Sequence, residues 1–111
     1  MRNNKIIFKF DEIEKIVCDH YEIEYGKLWN TRRVKNTADA RGVFYYISFY
    51  VNNCVIHRKI AEHSGQTRSN VINSIKRVNS LMDVDRQYEL EVSKLYEYCE
   101  SKLNKKEYVS N

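Results

Sequence analysis

The chain contains no proline and only three glycines in 111 residues. The two residues that most often end or kink a helix are thereby nearly removed, and long uninterrupted helices become the easiest way to satisfy the backbone. A chain of this length supplies one hydrophobic core with little to spare. The expectation is an all-α, compact bundle of about five to six helices, a single domain over residues 1–111 with its core at about 10–104. Apolar residues make up 42% of the chain, enough to fill that core, and 31% charged residues leave a polar exterior.

Apolar runs such as 6–8 and 43–46 are far shorter than the roughly 20 residues needed to cross a bilayer. Asp11, Glu12 and Glu14 arrive before a signal-peptide apolar stretch can form. Cys18, Cys54 and Cys99 are odd in number and far apart, which suits reduced thiols. These features point to a cytoplasmic protein without membrane contact.

Periodicity divides the chain. Phe10, Ile13, Val17 and Tyr21 recur at helical spacing, and Asp11 followed by Glu14 reads as an N-cap with its reciprocal partner, giving a helix at 11–20. Gly26 and the polar 30–35 stretch interrupt the pattern, with space for one helical turn near Lys27–Trp29 and then a basic loop. From about Thr37, the residues Ala40, Phe44, Ile47, Val51 and Cys54 mark one face of a long helix. Ile56 and Ile60 define a short helix ending near His63. After Ser64-Gly65-Gln66, a helix over 67–82 buries Val71, Ile75, Val78 and Met82, with Thr67 as N-cap. Tyr88, Val92, Leu95, Cys99 and Leu103 outline the closing helix, and 105–111 reads as a frayed polar tail. The short apolar stretch at 6–10 fits either a strand or a loop packed on the bundle.

Charge is concentrated in the middle. Residues 27–77 hold ten basic side chains against Asp39 and Glu62, while 1–26 hold four basic and six acidic, and 78–111 five and seven. A positive centre with acidic flanks is the pattern of a surface that meets phosphates, although a solvated basic face would look the same.

Two helices joined by a three-residue turn with a central glycine form the helix-turn-helix pattern, with small Ala61, Gly65 four later and apolar Val71 six later. The polar side of the second helix carries Arg68, Ser69, Asn70 and Asn73 near its start, residue types able to read base edges, and then Lys76 and Arg77, able to hold phosphates. No acidic residue lies between Gln66 and Leu81.

On these residues the chain resembles the C-terminal DNA-binding domain (domain IV) of the bacterial replication initiator DnaA, of the Trp-repressor-like class, over nearly its whole length. That family has a basic R-x-R-type loop, an A-R-Q helix start and a G-G-R-D-H-T-T-V-L-H-A signature. Here they correspond to Arg33-Val34-Lys35, Ala40-Arg41-Gly42 and the run from Ser64 to Ser74, with Thr67, Arg68 and Ser69 where the family has Asp-His-Thr. The resemblance implies that Arg33 or Lys35 reaches the minor groove, Arg41 holds the backbone and helix 67–82 lies in the major groove. The expected DNA-binding set is Arg33, Lys35, Arg41, Gln66, Thr67, Arg68, Ser69, Asn70, Asn73, Lys76 and Arg77. The 111 residues contain no G-x-x-x-x-G-K-[ST] loop, so the chain is expected to regulate replication or transcription rather than initiate replication alone.

Other chemistry finds less support. Cys54 with His57, and Cys18 with His20, lack the spacing of closed zinc sites. Tyr45-Tyr46 has no His-x-His companion and fits packing better than nucleophilic catalysis. Asp83/Asp85 and Glu12/Glu14 stand at i, i+2, on different helix faces, and read as solvated surface. The expectation is a non-catalytic protein without cofactor, metal or small-molecule substrate, binding double-stranded DNA, with a replication protein as a further candidate partner. Two rivals remain: an interaction module using Tyr45, Tyr46 and Tyr50, and a single-stranded nucleic-acid binder stacking bases on exposed tyrosines.

Overall fold

A computed structural model describes residues 8–30, 35–53 and 57–109. Five helices occupy them: α1 (Phe10–His20), α2 (Lys35–Val51), α3 (His57–Ser64), α4 (Arg68–Val84) and α5 (Arg86–Val109). No strand occurs among the described residues, so the all-α expectation holds. Ile6, Arg32, Arg33, Cys54 and Ile56 lie outside them.

The apolar faces meet as their spacing requires. Ile13 and Val17 of α1, Ala40, Phe44 and Ile47 of α2, Ile60 of α3, Val71, Ile75 and Val78 of α4, and Val92, Leu95 and Cys99 of α5 are all buried. The second helix is the axis of the bundle and touches each of the others. Its buried surface is wider than one stripe, since Val43 and Tyr45 are enclosed as well. Where α2 crosses α4 the helices come close: a Cβ on Gly42 would stand 3.3 Å from Val78 Cγ2.

Local details depart from expectation for identifiable reasons. Lys9, in the left-handed region at φ 59°, is the N-cap of α1, in place of Asp11, and makes no side-chain cap bond. Moving the N-cap two residues earlier sets Phe10 against Phe44 and His63, at ring-centroid distances of 6.4 and 5.3 Å. Asp11 and Glu12 then sit in the first turn, where negative charge favours the helix dipole. The segment Lys27–Trp29 forms hydrogen-bonded turns rather than a helical turn. Lys35 heads α2 instead of belonging to the loop, which places Ala40-Arg41-Gly42 in the second turn of the helix. The last helix continues to Val109, through most of the stretch expected to fray.

The carboxylate pair Glu12/Glu14 is not all surface. Glu14 is buried, and its Oε1 accepts hydrogen bonds from Trp29 Nε1 at 3.0 Å and His63 Nε2 at 2.8 Å. Burial pushes this carboxyl up, but the bonds from His63 and Trp29 and the charge of His63 overcome it and hold the group below its ordinary value. The bond to His63 ties the first helix of the helix-turn-helix to α1.

Candidate nucleic-acid interface

The turn between α3 and α4 is built by backbone geometry. Gly65 takes φ +73°, a conformation that suits glycine. The amides of Gly65 and Gln66 both donate to the Ala61 carbonyl, at 2.9 and 3.1 Å, closing α3. Thr67 follows as N-cap of α4 in extended conformation, its Oγ1 accepting from the Asn70 amide at 3.1 Å. Ala61 and Val71, the small and apolar positions of the motif, are 5% and 0% exposed.

With Val71, Ile75 and Val78 turned inward, the opposite side of α4 is fixed. Thr67, Arg68, Ser69, Asn70, Asn73, Lys76 and Arg77 are all exposed, and Gln66 is half-buried. Helical geometry sets Ser69, Asn73, Lys76 and Ser80 in the outermost row, Asn70 and Arg77 on one flank, and Arg68 on the other. The first turn holds no acidic residue. Its free N–H groups and the dipole add positive potential to that of the side chains.

A cleft of about 90 Å³ separates the Asn70 and Arg77 flank from α2. Asp39, Arg41, Gln66, Asn70, Ser74 and Arg77 line it, together with Tyr88 of α5. Arg41 is half-buried: its Nε donates to the Leu28 carbonyl at 2.9 Å and its guanidinium lies 5.8 Å over the Trp29 ring. It therefore supports the fold as well as lining the cleft. Burial, then the charges of Asp39 and Glu91, against an opposing effect of Arg77, push the Tyr88 phenol up to about 12.

Eight of the eleven expected residues, from Gln66 to Arg77, thus come together on one helix and its turn, and Arg41 stands across the cleft. Lys35 heads α2, and Arg33 lies outside the described residues. Sequence reasoning missed the bond from Asn70 Nδ2 to Gln66 Oε1, 3.1 Å long. The i, i+4 spacing of two amides was the available signal.

The alternative surfaces fare differently. Tyr45 is 1% exposed and stacks on Trp29 at 5.6 Å, so it cannot join Tyr46 and Tyr50 in one outward face. Cys18 and Cys99 are buried, and burial pushes their thiols up to about 11 and about 12, away from the thiolate form that metals need. No cluster of three or more metal-ligating side chains occurs among the described residues. None of the helices is long and apolar enough to cross a membrane, among the described residues.

Residues 10–78 match the family described as bacterial DnaA protein helix-turn-helix. The match runs from the first residue of α1 into α4 and leaves α5 outside. Comparison with curated proteins and with solved structures gives no match.

Proposed function

Because the chain belongs to the bacterial DnaA helix-turn-helix family, a family of DNA-binding rather than catalytic modules, we propose that it is a sequence-selective reader of double-stranded DNA that regulates replication or transcription. The supporting observation is the exposed face of α4, which carries no acidic residue from Arg68 to Leu81, in a well-formed helix-turn-helix and in the most basic part of the chain. In this reading α4 enters the major groove. Arg68, Ser69, Asn70 and Asn73 reach base edges, with Arg68 matched to guanine, while Lys76 and Arg77 hold phosphates. The basic segment with Arg33 and Lys35 at the head of α2 extends to the adjacent minor groove, where A·T-rich steps concentrate negative potential. Arg41, held by Leu28 and Trp29, meets the DNA backbone from across the cleft.

Each cation on a phosphate releases condensed counterion. With about five such contacts, the affinity for duplex should fall with salt at a log-log slope of roughly -4 to -5. A titration of labelled duplex at several salt concentrations measures this directly. A slope near zero where binding is measurable rejects a phosphate-contacting surface, and preference for single strands in competition would favour the stacking alternative.

A further inference from the structure

We infer that Gln66 and Asn70 act as one unit that selects adenine at a single base position. The inference rests on the duplex-reading role proposed above and deepens it. Asn70 Nδ2 donates to Gln66 Oε1 at 3.1 Å, joining two amides across one turn at the start of α4. That bond leaves Asn70 Oδ1 as an acceptor beside Gln66 Nε2 as a donor. If both amides are rotated, the bond reverses, and the two atoms outside it are again one acceptor and one donor.

The major-groove edges of the bases decide what such a pair can match. Adenine presents the N6 amino donor next to the N7 acceptor, whereas guanine presents two acceptors, cytosine a donor alone, and thymine an acceptor beside a methyl group. One donor beside one acceptor satisfies adenine fully and leaves a group unpaired opposite guanine.

The pair is also held before DNA arrives. The Gln66 amide is fixed to the Ala61 carbonyl at 3.1 Å, and the Asn70 amide to Thr67 Oγ1 at 3.1 Å, so both Cα positions belong to the turn and cap. Their mutual bond restricts the two side chains further, which lowers the ordering cost of recognition. Arg41 and Arg77 line the same cleft as the amides, with Asp39 as the one carboxylate in that lining.

The test is selection of bound duplexes from a random pool by the wild-type chain, Gln66→Ala, Asn70→Ala, the double variant and Asn70→Asp, with far-UV circular dichroism melts to confirm folding. Both residues lie outside the core, so folding should persist. Gln66→Ala and Asn70→Ala should each reduce adenine preference at one shared position by about tenfold, and the double variant should lose no more than the larger single loss. Asn70→Asp, which presents acceptors only, should move the preference at that position to cytosine. Losses at two different positions, additive losses, or a shared position that does not favour adenine would overturn the inference. Wild-type binding without sequence preference, or with a motif that no variant changes, overturns it while leaving duplex binding intact. Failure of the wild-type chain to bind any duplex overturns both readings.

Discussion

Glu14 shows how one side chain can leave the surface role that its spacing suggests. The i, i+2 offset from Glu12 puts the two on different faces, and Glu14 is the one turned inward, between Trp29 and His63. Removing it with Glu14→Ala leaves the indole N–H and the imidazole without their acceptor, at a cost of about 1–3 kcal/mol for the group left unsatisfied. Chemical denaturation should register that loss. Acid should act on the same group. Its folded value lies below the ordinary 4.5, so its contribution is complete above that value and disappears as pH falls through the lower, folded one. Stability should therefore decline below about pH 4.5, and the decline should be shallower in Glu14→Gln; identical pH profiles would mean that the carboxylate is not coupled to folding. Nothing in the order of residues signals the pairing, because Glu14 and His63 are 49 positions apart.

At the level of elements, the α3–α4 turn was legible because its requirements are local. Glycine at a positive φ, a threonine cap and an alanine at the crossing are each determined by a residue's own conformational range. Gly65→Ala meets no steric obstacle, since nothing lies within 4 Å of the added Cβ, so its cost is the left-handed backbone alone, about 1–2 kcal/mol. Thr67→Ala removes the cap bond and should cost about 1 kcal/mol. Thermal melts of the two variants should show both losses, and DNA affinity should fall with them, because the turn orients α4. An unchanged melting temperature for Gly65→Ala would show that the turn relaxes without penalty. The start of α1 differs from expectation because burying Phe10 against Phe44 and His63 outweighs a capping box at Asp11.

For the whole molecule, α5 is the element that the family match does not reach, yet Val92, Leu95 and Cys99 complete the core against α2 and α4. Burying a valine and a leucine contributes about 3–6 kcal/mol, a large part of the roughly 5–15 kcal/mol that holds a small domain together. A chain ending at Val84 should therefore lose its cooperative thermal transition by circular dichroism; a sharp transition in that truncated chain would show that α1–α4 suffice. The sequence by itself determined the helical class, the five apolar faces, the turn at Gly65 and the exposed polar side of α4, because periodicity and backbone preference act within a few residues. Only the tertiary structure decided that Arg41 is tied to Leu28 and Trp29, that Tyr45 belongs to the core, that Glu14 is enclosed and that Asn70 is joined to Gln66 beside a cleft shared with α2. These depend on which helices cross and how closely, and those distances are set by packing across the whole bundle.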